Sequence, residues 1–188
     1  MKKIILILPV VLFIYSCNSN SNNDNALKIE NKIDSSASKN DSVLEIDLLK
    51  TKTNSLRGSG SIKNVKLNDS VAEIDYVNNY NDYSKLNPQS SLSKKDFETY
   101  WYTGDAVNKA LIDGAIRILR DLDFVETVKL NIPLENKYKN IELTRKDLEL
   151  LTDKSFNEIK NNWTEFNDKY VYTSEGRSEI LSKYGNTK

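Results

Sequence analysis

Four aspartates, Asp105, Asp113, Asp121 and Asp123, crowd one stretch of the chain. Two carboxylates in one cleft can act as general acid and general base when their surroundings separate their pKa values. Asp105 and Asp113, and likewise Asp113 and Asp121, stand eight residues apart. That is about 12 Å along a helix axis, farther than the paired carboxylates of glycoside hydrolysis. The i,i+4 spacing of Asp113 and Arg117 predicts instead an ion pair on the exposed side of a helix. A carboxylate-dependent hydrolase would need Asp105 to meet an acid from another element, Glu135 or Glu142. With no histidine and a single cysteine in 188 residues, Ser-His-Asp and Cys-His catalysis and histidine-ligated metals are excluded. Intramolecular disulfides, CxxC redox pairs and cysteine zinc sites are excluded too. Neither an Asp-rich calcium loop nor a GxSxG elbow is present. No catalytic residue, metal ligand or cofactor is therefore expected.

The densest aromatic cluster is Tyr100-Trp101-Tyr102, followed by Thr103-Gly104-Asp105 at a helix start. Three consecutive aromatics cannot all face one core, so at least one is expected at the surface. Exposed tyrosine and tryptophan stack on sugars or anchor protein interfaces. Tyr100, Trp101, Tyr102, Gly104 and Asp105 are the candidate binding patch, with Trp101 its first target for mutation. An anion beside Gly104, at the start of the following helix, is a weaker alternative.

These residues need elements to hold them. Leu44, Ile46 and Leu48 alternate with Val43, Glu45 and Asp47 and predict a strand, followed by a polar loop from Lys50 to Ser61 whose Gly58-Ser59-Gly60 reads as a flexible connector. Strands are predicted over Ile62–Leu67 and Val71–Val77, then a tyrosine-dotted loop from Asn78 to Ser91. Ser93 with Asp96 reads as a capping box opening a helix through Tyr102. The next helix runs to about Leu122, with Val107, Leu111, Ala115, Ile118, Leu119 and Leu122 on one face. Val128, Leu130 and Ile132 alternate up to Pro133, which ends the strand or marks an edge. A turn near Asn136 leads to a return strand through Ile141 and Leu143. Thr144 with Asp147 opens a short helix through Leu151, and Asp153 or Ser155 a longer one. In the longer helix Phe156, Ile159, Trp163, Phe166 and Tyr170 form one stripe. A last helix spans about Thr173 to Gly185. The order predicts one α+β domain, an antiparallel sheet with helices packed on one face, over residues 43–188. The helix–hairpin–helix unit from Asp105 to Leu151 resembles in topology the GerMN-type domain of some sporulation lipoproteins, with no shared residue motif.

Met1-Lys2-Lys3 precedes a run of 12 residues, Ile4 to Tyr15, apolar but for Pro9. A span of the hydrocarbon core takes about 20 helical residues, so this run matches the h-region of a secretory signal. Ile14-Tyr15-Ser16-Cys17 follows, and it resembles the lipobox of bacterial lipoproteins, with Tyr15 bulkier than the usual occupant. The resemblance covers residues 1–17 and implies a diacylglyceryl thioether on Cys17, cleavage after Ser16 and acylation of the new amino group. Two or more acyl chains anchor a protein stably. Residues 17–42 are polar and asparagine-rich and read as a disordered tether, with a reach of about 25–30 Å.

The chain has 27 basic and 27 acidic residues, which argues against nucleic acid as a partner. Removal of residues 1–16 takes away Lys2 and Lys3 and leaves a slight acidic excess. Asn18, rather than an aspartate, follows the cysteine, so the outer membrane or cell surface is expected where the host has two membranes. The expectation is a lipid-anchored envelope protein that works by binding another envelope protein, a glycan or a host molecule. A carboxylate-dependent envelope hydrolase and a purely structural lipoprotein are the alternatives.

Overall fold

The computed structural model describes residues 30–134 and 137–187. Contacts divide the chain into two units, Met1–Ser38 and Lys39–Lys188; of the first, only the start of a helix is described. Cys17, Glu135 and Asn136 lie outside the described residues, and with them the expected lipidation site and the predicted turn.

The second unit is an α+β fold. Its five-stranded sheet has the order β1-β2-β3-β4-β5, with β1 Ile62–Asn68, β2 Val71–Tyr76, β3 Thr127–Leu134, β4 Lys137–Thr144 and β5 Gly185–Thr187. Three pairings are antiparallel, and β2 with β3 is parallel. The parallel seam arises because residues 77–126, carrying three helices, cross back over the sheet before β3 begins. Burial alternates along the strands: Ala72, Ile74, Tyr76, Val128, Leu130, Ile132, Ile141 and Leu143 are buried, and the strand residues between them are not. One face therefore carries the helices, and the other carries polar side chains such as Lys66, Glu73, Lys129 and Glu142. Pro133 lies beyond the last residue paired with β2, Asn131, so β3 has one neighbour there and the missing N–H disrupts no ladder on the β2 side.

Helix α4 (Gly104–Asp121) is the centre of the body. The expected face is buried, and so are Ala110, Ile112 and Ile116 off that face, because other helices cover its second side. Its charged residues explain how. Asp105, Lys109, Asp113, Arg117 and Asp121 recur every fourth position, pairing Asp105 with Lys109 at 2.5 Å and Asp113 with Arg117 at 2.6 Å. Each aspartate also takes a cation from elsewhere: Arg177 of α8 (Ser174–Tyr184), Arg57 of the loop before β1, and Lys52 of α1 (Glu30–Thr53). Asp113, expected on an exposed side, is buried at 4 % exposure, since Arg57 closes over it.

Several elements depart from the sequence reading. Leu44, Ile46 and Leu48 lie in helix α1, which runs through the boundary drawn at residues 42 and 43. The helix buries Leu49 and Thr53 one turn apart and leaves Val43, Leu44 and Leu48 exposed, a period of 3.6 that the local alternation hid. Within the expected loop, α2 (Tyr80–Leu86) forms under an Asn79 cap; it buries no residue fully, and its Tyr80 and Tyr83 rings pack on Phe97 of α3 (Lys94–Tyr102). The expected long helix is broken at Asn162 into α6 (Phe156–Asn161), α7 (Trp163–Phe166) and a π-helical turn (Asn167–Val171). Phe156, Ile159, Phe166 and Tyr170 stay buried across the break. Thr144 and Ser155 form full capping boxes on α5 (Arg145–Thr152) and α6, as their spacing predicts. Arg145 donates to the carbonyls of Leu119 and Leu122 at 3.3 and 3.0 Å, satisfying the open end of α4. β5 has no sequence signal beyond three polar residues.

Candidate functional site

Trp101 is placed first, because the rest is built on it. It is buried at 6 % exposure, edge-on to Tyr76 with centroids 5.7 Å apart and to Tyr100 at 4.9 Å. Its indole fits only because residue 58 is glycine. Gly58 has φ +66°, and a Cβ there would stand 2.5 Å from the indole ring. The segment read as a flexible connector is thus a fixed turn, and Tyr76 pins it further by donating its hydroxyl to the Arg57 carbonyl at 2.8 Å. Burial pushes the Tyr76 phenol far above its usual range, and Tyr100 and Asp113 add to the shift.

The turn delivers Arg57 to the front of α4, where its Nε lies 3.3 Å from the Asp113 carboxylate. Arg57, Thr99, Tyr100, Thr103, Asp105, Ala106 and Lys109 line an open cleft of about 300 Å³. Tyr100, 45 % exposed, forms part of its wall. At the α4 end, Asp105 accepts from Lys109 at 2.5 Å and from Arg177 at 2.7 Å. These two bonds, Lys109 foremost, hold its carboxyl below the ordinary range. Arg177 is itself buried and fixed by the carbonyls of Val171 and Tyr172. Asp105 is therefore a charged, clamped carboxylate, unsuited to take up a proton at neutral pH. Thr103 makes no side-chain cap on α4, whereas α2, α3, α5, α6 and α8 all have one.

Of the candidate patch, Tyr100 and Asp105 meet in the cleft, and Trp101 stands behind it in the core. Tyr102 is 81 % exposed and does not line the cleft. Gly104 faces away, toward Lys139, whose Nζ would lie 3.7 Å from a Cβ at that position. Asp105 and Glu142 do not converge. Asp105 is on the helix-covered side of the sheet, and Glu142 points from the opposite face, 3.4 Å from Lys129. Asp121 and Asp123 are engaged by Lys52 and Arg120, and by Lys160, respectively. Among the described residues, no group of three or more acidic or thiol side chains is placed to hold a metal, and no helix is long and apolar enough to cross a membrane.

Sequence reasoning missed Arg57, Thr99 and Lys109 as lining residues. Lys109 carried a signal, lying four residues after Asp105 on a helix. Arg57 carried none, since it reaches the cleft only through the Gly58 turn. No protein-family model, curated protein or solved structure matches this chain.

Proposed function

We propose that the chain is a lipid-anchored protein of the bacterial cell envelope whose α+β body is a binding module. One observation carries the binding half of this reading: two of three consecutive aromatics stand at the surface, one of them, Tyr100, in the wall of an open, charged cleft and packed on the buried third. Buried ring area is ordinarily favourable, so two exposed rings on one short helix are a surface suited to a partner. The lipid half rests on the position of the single cysteine two residues after an apolar run of h-region length, with Ser16 between. The clamped state of Asp105 and its separation from Glu142 favour binding over carboxylate hydrolysis.

Two experiments test the two halves. Cys17→Ser should lose radiolabelled palmitate and leave the membrane fraction; retention of both would remove the anchor. A photo-crosslinker at Tyr102 should capture an envelope component that the same probe at Leu150, 69 % exposed on α5, does not. Equal capture at both positions would sink the binding surface.

A further inference from the structure

We propose that the cleft at Tyr100 binds a saccharide bearing a carboxylate. This rests on the binding-module reading and names the ligand class for the same site. The volume, about 300 Å³, is at the low end of small-ligand sites, which suits one sugar ring better than a folded peptide surface.

The walls supply the two things a sugar ring needs. A rigid aromatic face is presented by Tyr100, which cannot swing freely because the buried Trp101 indole meets it edge-on at 4.9 Å. Hydrogen-bonding groups surround that face with capacity unspent. Among the described residues the hydroxyls of Thr99 and Tyr100 make no hydrogen bond. Among the same residues the Arg57 side chain makes only its ion pair with Asp113, and Lys109, with three donor protons, has one partner, Asp105.

The charge then selects among saccharides. Asp105 is the only acid among the cleft's lining residues and is neutralised from behind by Arg177 at 2.7 Å as well as from the front by Lys109, while Asp113 beside Arg57 is shared with Arg117 at 2.6 Å. Arg57 and Lys109 therefore leave the cavity positive, and their side chains are 44 % and 39 % exposed. A ligand carboxylate can accept charge-assisted hydrogen bonds from both, whereas a neutral sugar leaves that field unused. Such a carboxylate occurs on the lactyl ether of muramic acid where the stem peptide has been removed, and on the uronic acids of extracellular glycans; the chemistry is shared, and titration separates the sources.

The full mature chain, purified in mild detergent, is titrated calorimetrically at low ionic strength with three probes. These are the N-acetylglucosaminyl-N-acetylmuramic acid disaccharide, a hyaluronan tetrasaccharide and neutral chitobiose. At least one acidic probe should bind about tenfold more tightly than chitobiose, the worth of one charge-assisted bond. The tighter acidic probe identifies the source. Lys109→Gln should weaken that preference, with Arg57 remaining, while leaving Asp105 its Arg177 partner, and Tyr100→Leu should weaken all binding, with thermal melting confirming that both variants fold. Chitobiose binding as well as either acid, or Lys109→Gln retaining the preference in full, overturns the proposal. Absence of binding by every probe also overturns it. If Tyr102 crosslinking still captures an envelope component, the module reading survives that loss.

Discussion

A residue's neighbours decide whether a substitution reads out structure or function, and the three aromatics at 100–102 divide on that line. Trp101→Ala removes an indole packed against Tyr76 and Gly58, and should cost about 3–5 kcal/mol by chemical denaturation. Loss of binding in that variant would say nothing about contact with a ligand. Tyr102→Ala, at a position 81 % exposed, should change stability by less than about 0.5 kcal/mol while reducing capture of the partner. A large loss of stability there would show that the ring is structural. The sequence made the cluster visible and required an exposed member, but it could not say which. The answer depends on Gly58, more than forty positions earlier and legible only as a loop glycine until its positive φ and its contact with the indole are seen together.

Among the elements, α4 shows what periodic charge accomplishes when a helix is covered on both sides. Its aspartates, eight residues apart, reach cations on α1, on the loop that follows it and on α8, so one helix face fastens segments far apart in sequence. Asp113 is the most buried of them. Asp113→Asn should destabilise by about 1–3 kcal/mol, less than for a fully buried ion pair, because Arg57 and Arg117 keep part of their hydration. A double-mutant cycle with Arg57→Gln isolates the pair, and coupling indistinguishable from zero would remove Arg57 from the fastening. The Asp113–Arg117 spacing was readable, while the burial was not, since the covering arginine lies on another segment. Strands β1 to β4 and the caps at Ser93, Thr144 and Ser155 were readable for a related reason: alternation and capping are local. Helix α2 was not, because its burial comes from tyrosines that pack on Phe97 and keep their hydroxyls bonded outward, a pattern that hydropathy scores as loop.

At the level of the whole molecule, the absence of histidine leaves no side chain whose ordinary titration falls between about pH 5.5 and 8. Stability should be flat across that window. On the acid side Asp105 and Asp123 are held low, chiefly by their hydrogen bonds to Lys109 and Lys160. For Asp121, burial acts to raise the pKa, but the bonds from Arg120 and Lys52 outweigh it and the net shift is downward. Carboxyls lowered in the folded state stabilise it above their unfolded values near 4 and lose that contribution as pH falls through the folded ones. On the alkaline side Tyr76 is raised in the folded state, so its contribution is complete below the unfolded value of about 10 and declines as pH rises past it. Denaturation midpoints measured from pH 3 to 11 should trace a plateau with two shoulders, and a slope within the plateau would reveal a titrating group outside these pairs.

The parallel seam between β2 and β3 governs the order in which this body can assemble. The β1–β2 and β3–β4 hairpins each join neighbouring stretches of chain and can form by local search. The seam joins residues on either side of the 77–126 crossover, and the length-dependent part of closing a loop of that size costs about 3.5 kcal/mol. Neither hairpin can offset that alone, because β3 and β4 pack chiefly on α4 and Tyr76 of β2 packs on Trp101 of α3, and both helices lie within the crossover. The middle of the sheet is therefore the last part of the sheet to become secure, and the nascent chain must finish α4 before its two halves have reason to meet.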